Sequence, residues 1–126
     1  MTGAMEKILV VDDSKTTRQV LNFSLTDAGF NVTEAVDGMD ALQFLEKEKY
    51  DLIITDLKMP RMNGLELTVK IRDDGEHKYT PIVILTTECS DEKKLKGKQA
   101  GASCWIVKPF QPEQLLQVVN LSLNKS

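Results

Sequence analysis

Five short apolar runs alternate with amphipathic segments along this chain, and that alternation constrains the fold more than any other feature. The runs cover residues 7–11, 31–35, 51–55, 81–85 and 103–107. Strands that alternate with helical segments are typical of βαβ units and a parallel sheet. The runs are almost continuously apolar, as expected of strands covered by helices on both faces. The sequence therefore predicts an α/β fold built on a parallel sheet.

The intervening segments are predicted to be helices whose ends carry recognisable cap and stop signals. These signals are Ser14, Gly29, Asp37, Asn63, Ser90, Gly101 and Pro112. The first helix should bury a stripe that includes Val20 and Phe23. The fourth helix has only Leu95 and Ala100 as an apolar stripe, so we expect it to be the least firmly packed. His77, in the polar stretch 73–80, is predicted to be a solvated loop residue.

Length and composition indicate one globular domain and exclude several classes. The chain has 126 residues, 41% of them hydrophobic and 28% charged, with a net charge of −3. That charge argues against a nucleic-acid-binding role, and no apolar stretch approaches the roughly 20 residues of a membrane helix. Residues 1–4 read as an expression remnant and residues 5–126 as the domain, with no signal peptide and no attached output domain expected. Cys89 and Cys104 fit no metal-binding spacing and indicate reduced, cytoplasmic thiols.

Charged and hydroxyl side chains stand at the ends of four of the five runs. Asp12 and Asp13 follow the first run, Asp56 the third, Thr86 the fourth and Lys108 the fifth. Since the carboxyl ends of parallel strands share one edge, where such sheets bind ligands, these groups should meet. Three neighbouring carboxylates with no histidine or cysteine in reach favour Mg²⁺ over zinc. A carboxylate beside Mg²⁺ can also attack phosphorus, with Lys108 and Thr86 holding phosphoryl oxygens.

Each of these residues also has an ordinary structural explanation. An aspartate after a strand is usually a cap or turn residue, and acids before a helix favour its N-terminus. Thr86 could be a plain strand former and Lys108-Pro109 an ordinary loop. Taken singly, those explanations are the better choice. The occurrence of these residues together, at four strand ends, favours a functional site.

Over residues 7–123, the chain resembles the receiver domain of two-component response regulators. The resemblance rests on Val10-Val11-Asp12-Asp13, Asp56, Met59-Pro60, Asn63-Gly64, Thr86, Gly101-Ala102 and Lys108-Pro109-Phe110. As a single domain, the chain is most similar to the CheY-like members of the family. The resemblance implies a flavodoxin-like, doubly wound (βα)₅ sheet with strand order 2-1-3-4-5.

The resemblance also implies a role for each residue of the edge. Asp56 would accept a phosphoryl group from the phosphohistidine of a histidine kinase. Asp13 and Asp56 would bind Mg²⁺ directly, together with the backbone carbonyl of Lys58, and Asp12 would act through water. Lys108 would contact the phosphoryl group, and its peptide bond to the following proline would be cis. Such a domain is not an enzyme in the ordinary sense, since it catalyses only its own phosphorylation and dephosphorylation.

The family further implies a switch and a set of partners. Thr86 would move towards the phosphoryl group, and Trp105 would follow from an exposed to a buried position. That movement would reshape the face formed by the fourth helix, fifth strand and fifth helix. The implied partners are a CheA-like sensor histidine kinase, a downstream target such as a flagellar motor switch protein, and a phosphatase. The protein would act as a cytoplasmic monomer in chemotaxis.

Three features depart from the family's usual pattern. Trp105 replaces a commoner Tyr or Phe, and Asn63 a commoner Asp. Lys58 and Glu88 occupy positions that tune hydrolysis of the phosphoryl group in the family. We hypothesise that these two side chains pair across the mouth of the pocket and hinder the attacking water.

Other functions compete with this interpretation. The chain could be a phosphorelay intermediate, or an excised receiver of a larger regulator or hybrid kinase. A phosphatase with an aspartyl-phosphate intermediate would need a second aspartate where Lys58 stands. A flavin module could use the hydroxyls of Ser14, Thr16 and Thr17, but Asp12 and Asp13 would repel its phosphate. No P-loop motif is present.

Overall fold

A computed structural model describes residues 5–124, so the predicted expression remnant at 1–4 lies outside the described residues. The strands are β1 (Lys7–Val11), β2 (Asn31–Ala35), β3 (Leu52–Thr55), β4 (Ile82–Thr86) and β5 (Cys104–Val107). The helices are α1 (Lys15–Asp27), α2 (Gly38–Lys47), α3 (Gly64–Asp73), α4 (Asp91–Ala100) and α5 (Pro112–Ser122). A 3₁₀ turn (Gly75–His77) precedes β4. Every helix among these residues is too short or too polar to traverse a lipid bilayer.

All five strands are parallel and form one sheet in the order β2-β1-β3-β4-β5. The register pairs Val11 with Thr55 and Thr55 with Ile84, two residues before β4 ends, so the strands end within two residues of one another. Residues that follow the strands therefore emerge at a common edge. The predicted fold class and strand order are confirmed.

The sheet separates two apolar clusters, which explains why its strands are apolar on both faces. Ile8 and Val10 of β1 pack with buried residues of α1 and α5. Leu9 and Val11, which point the other way, pack with buried residues of α2 and α3. Helices thus cover both faces, as a doubly wound sheet requires.

The predicted helix ends are confirmed by their hydrogen bonds. Four N-cap side chains each accept a hydrogen bond from the backbone N–H three residues later, namely those of Ser14, Asp37, Asn63 and Ser90. Gly29 and Gly101 follow helices with φ of 98° and 112°, a left-handed conformation that favours glycine. The helix boundaries are therefore fixed by local chemistry.

Several predicted environments are wrong. Val20 and Phe23 of α1 are exposed, because only one narrow stripe of that helix faces the sheet. Leu95 is exposed too, and the residue that α4 buries is Gly97. His77 is fully buried rather than solvated. Its Nε2 accepts a hydrogen bond from the backbone N–H of Tyr50, and its Nδ1 lies 3.0 Å from the Asp74 carboxylate, so its polar atoms are satisfied inside the fold.

Candidate functional site

Three carboxylates meet at the carboxyl edge of the sheet, as the sequence predicts. Asp12, Asp13 and Asp56 each offer one oxygen, and these oxygens all lie within 4.8 Å of one another. Sheet-like hydrogen bonds extend beyond the strands and hold the acids there: the Asp12 N–H donates to Ala35 and the Asp56 N–H to Val11. Asp12 is buried and Asp13 is exposed, so the cluster opens to solvent on one side.

Lys108 closes the inner side of this cluster. Its Nζ lies 2.9 Å from Oδ2 of Asp12 and 3.3 Å from Oδ2 of Asp56. The backbone N–H of Lys108 donates to the carbonyl of Thr86, which places the lysine beside the end of β4. Its peptide bond to Pro109 is cis, as the resemblance implies.

Burial and neighbouring charges have opposite effects on the pKa values of Asp12 and Lys108. Burial raises the pKa of Asp12, although hydrogen bonds from the Ser14 N–H and from Lys108 oppose that rise. Burial alone would lower the pKa of Lys108, but the hydrogen bonds and charges of Asp12 and Asp56 outweigh it and raise the pKa. Three carboxylates face one ammonium, so the cluster keeps an excess of negative charge. Oxygen donors with such an excess suit a hard divalent cation.

Thr86 and Trp105 both contact the backbone of Glu88. The buried Thr86 hydroxyl accepts a hydrogen bond of 3.4 Å from the Glu88 N–H. The indole Nε1–H of Trp105 donates to the Glu88 carbonyl at 3.0 Å. The half-buried indole ring also lies against Gly97 of α4. One peptide segment therefore joins the carboxylate edge to the fourth helix.

Lys58 and Glu88 do not form an ion pair within 4.0 Å in the part of the chain that the structure describes. The Glu88 carboxylate instead accepts a hydrogen bond of 3.2 Å from the Ser90 N–H. That bond is the main cause of its lowered pKa, and the charge of Lys58 makes a smaller contribution. The pairing hypothesised from the sequence is absent from this structure, and the tuning role stays a prediction.

The family model described as "Response regulator receiver domain" matches residues 8–120. The chain is a response-regulator receiver domain. It is therefore a signalling domain. Chemotaxis protein CheY-3 of Vibrio cholerae is 45% identical over 105 residues, which are 82% of this chain and 81% of that protein.

Solved structures agree with the fold of this receiver. The structure of V. cholerae chemotaxis protein CheY4 superposes with a TM-score of 0.93 at 48% identity, covering 95% of this chain and 100% of that one. The receiver domain of the Pseudomonas aeruginosa sensor histidine kinase PA1611, described with a magnesium ion in its active-site cleft, has a TM-score of 0.89. It is 28% identical and covers 97% of this chain and 100% of its own. The likeness to CheY-3 and CheY4 makes this a CheY-like, chemotaxis-type receiver.

An ion pair beside the receiver's site escaped the sequence analysis. Arg61, in the loop after Asp56, forms an ion pair with Asp37, which precedes α2. The cap position of Asp37 was recognisable from the sequence, but nothing in the sequence joins it to Arg61.

Gly64 was noted only as a helix start. A Cβ there would lie 2.3 Å from the carbonyl oxygen of Asp56, so only glycine lets α3 approach the Asp56 backbone this closely.

Proposed function

We propose that Asp56 accepts a phosphoryl group from the phosphohistidine of a sensor histidine kinase. The observation that carries this proposal is the meeting of Asp12, Asp13, Asp56 and the Lys108 ammonium at one edge of the sheet. Phosphoryl transfer depends mainly on positioning and on neutralising charge, and this edge offers both.

The donor set fits Mg²⁺. Asp13 and Asp56 would bind the ion directly with the backbone carbonyl of Lys58, and Asp12 would hold it through water. All of these donors are oxygens. Burial raises the pKa of Asp12, and a nearby cation would act in the opposite direction by favouring the carboxylate. When bound, the ion would supply positive charge to the phosphoryl oxygens.

The residues of this chain would carry the transfer itself. A carboxylate oxygen of Asp56 would form a bond to phosphorus while the bond from phosphorus to the imidazole nitrogen of the kinase breaks. That nitrogen keeps the bonding electrons and takes a proton from solvent. Lys108, whose Nζ now lies 3.3 Å from Asp56, would hold one phosphoryl oxygen, and the Thr86 hydroxyl would donate to another. Hydrolysis of the acyl phosphate would restore Asp56.

The output would travel from Thr86 to the face formed by α4, β5 and α5. If the Thr86 hydroxyl turns towards the phosphoryl group, Glu88 loses the acceptor of its backbone N–H. The Glu88 carbonyl holds Trp105, so the indole and α4 would move with it. We propose that this face then binds a downstream target such as a flagellar motor switch protein. The kinase would be CheA-like, a phosphatase would reset the signal, and residues 5–126 would act as a cytoplasmic monomer.

The test is phosphorylation by acetyl phosphate in Mg²⁺, followed by intact mass and Trp105 fluorescence. Asp56→Asn should prevent the phosphoryl mass increase, because the amide is not a nucleophile of comparable strength. Asp27→Asn is the matched control, since Asp27 is an exposed carboxylate at the far end of α1. Absence of an adduct on the unaltered protein would contradict the proposal. An adduct without a fluorescence change would keep the chemistry and contradict the coupling to Trp105.

A further inference from the structure

The loop between β3 and α3, residues 56–63, carries the Lys58 carbonyl assigned above to the cation. Backbone hydrogen bonds hold this loop on both sides of Lys58. The Met62 N–H donates to Pro60 at 2.7 Å, and the Gly64 N–H donates to Leu57 at 2.8 Å. Lys58 itself is exposed, so contacts that the rest of the loop makes with other segments also bear on its position.

Arg61 holds a strained position in this loop. Its φ is 68°, in the left-handed region that a residue with a side chain rarely adopts. Among residues 5–124 only Asn124 shares this feature outside glycine. A strained conformation persists where surrounding contacts compensate for it.

The compensating contact is the ion pair with Asp37. The Nη2 group of Arg61 binds Oδ2 of Asp37, whose side chain is only 10% exposed. The other oxygen of Asp37 accepts a hydrogen bond of 2.9 Å from the Asp40 N–H, which fixes the carboxylate at the start of α2. Asp37 therefore offers Arg61 a stationary partner.

Packing joins the same two segments beside the ion pair. Gly38 lies so close to Met62 that an added Cβ would be 2.7 Å from its Sδ. Met62 is buried and belongs to the apolar cluster beneath α2 and α3. The loop after the acceptor is thus clamped to the start of α2 by one polar and one apolar contact.

We propose that Arg61 and Asp37 are positioning residues of the cation site. By holding the loop against α2, they would keep the Lys58 carbonyl directed at the carboxylate cluster before the ion arrives. This inference rests on the proposed function, because it takes the Lys58 carbonyl as a ligand. Neither residue would contact the ion or the phosphoryl group. Partners of this kind act by orienting ligands, and losing one weakens metal binding while all ligands remain.

The size of the effect follows from exposure. The Arg61 side chain is 68% exposed, so solvent screens its attraction to Asp37. We expect loss of the pair to raise the dissociation constant for Mg²⁺ about two- to fivefold, the range of an exposed ion pair. Asn is as good an N-cap as Asp, so Asp37→Asn removes the charge and keeps the cap.

The experiment measures Mg²⁺ binding by calorimetry in Arg61→Gln, Asp37→Asn and the double variant. Each single change should weaken binding, and the double variant should bind no more weakly than the worse single one, because both remove the same pair. Arg61→Lys, which retains the charge, should recover part of the affinity. Lys7→Gln is the matched control, since it removes an exposed ion pair with Glu48 away from this loop and should leave affinity unchanged.

A second readout needs no metal. Hydrogen exchange in EDTA should be faster at the Met62 and Gly64 amides of Arg61→Gln than in the unaltered protein. Affinity unchanged in both single variants, or additive losses in the double variant, would overturn the inference, as would unchanged exchange. A lower melting temperature with an unchanged Mg²⁺ dissociation constant would mean a merely structural pair. If the unaltered protein binds no Mg²⁺, the proposed function fails, whereas the exchange rates still decide whether Arg61 holds the loop.

Discussion

The contact between Gly97 and Trp105 yields a prediction in which two known effects oppose each other. Alanine is favoured over glycine inside a helix by about 1 kcal/mol. Here, however, an added Cβ would lie 2.7 Å from Cζ3 and 3.0 Å from Cε3 of Trp105, with Cδ1 of Ile84 at 3.5 Å. Overpacking of this kind costs about 1–3 kcal/mol. Tilting the ring away would also weaken its hydrogen bond to Glu88, worth about 1 kcal/mol. Gly97→Ala should therefore lower the free energy of unfolding by about 1–3 kcal/mol.

The assay is urea unfolding followed by circular dichroism, with Trp105 emission recorded separately under native conditions. The emission should change, because the indole must shift or lose its hydrogen bond. Gly75→Ala is the matched control, since no atom lies within 4 Å of a Cβ at that position. The control should be neutral or more stable by about 0.4–1 kcal/mol, through reduced freedom of the unfolded chain.

The reasoning would be refuted by a Gly97→Ala variant that gains about 1 kcal/mol and keeps its emission spectrum. Helix propensity would then act alone, and Trp105 would not rest on Gly97. A loss of stability without any emission change would be equally damaging, because the cost would arise elsewhere than at the indole.

Three further predictions concern the site and its neighbours. Gly64→Ala should lower the free energy of unfolding in urea by about 3 kcal/mol. The added Cβ would lie 2.3 Å from the carbonyl oxygen of Asp56, and that backbone cannot move aside. A variant of unchanged stability would contradict this prediction. Lys58→Ala and Glu88→Ala should each shorten the aspartyl-phosphate lifetime measured by mass spectrometry. An unchanged lifetime in both variants would dismiss the tuning role. Asp37→Asn should lower the free energy of unfolding by about 1 kcal/mol near neutral pH. The pKa of Asp37 is lowered first by the Asp40 N–H and then by Arg61, so its contribution is present above the ordinary value of 3.8 and is lost as pH falls through the lowered native pKa. Unfolding at about pH 7 and about pH 2.5 should show this loss, and a difference that persists in acid would contradict the charge argument.

The carboxylate edge could be predicted because its geometry follows from topology. Once five apolar runs form a parallel sheet, the residues after Val11, Thr55 and Val107 must emerge at one edge. No knowledge of side-chain packing is needed to bring Asp56 and Lys108 together. The helix ends were predictable for a similar reason, since caps act over three residues.

The environments of His77 and Arg61 each depend on a partner distant in the sequence, which composition does not reveal. A polar stretch around His77 indicates solvation, yet a backbone N–H at Tyr50 and a carboxylate at Asp74 satisfy both of its ring nitrogens. Arg61 binds a carboxylate 24 positions away. Phe23 was predicted to be buried and is exposed. Its helical spacing fits a core stripe, but the sheet covers only a narrow side of α1.

The weak attachment of α4 has a physical consequence for switching. Its apolar contribution is Gly97 beneath Trp105, and at its C-terminal end the Arg72 guanidinium donates to the Gly101 carbonyl at 3.0 and 2.8 Å. The Glu88 carbonyl accepts from Trp105 just before the helix begins. A few hydrogen bonds of about 1 kcal/mol each hold this face in place, whereas a hydrogen bond to a charged phosphoryl oxygen contributes about 1.5–3 kcal/mol. One new bond from Thr86 would therefore be comparable in free energy to the contacts that it disrupts, and a helix anchored by a full apolar stripe would not respond to a change of that size.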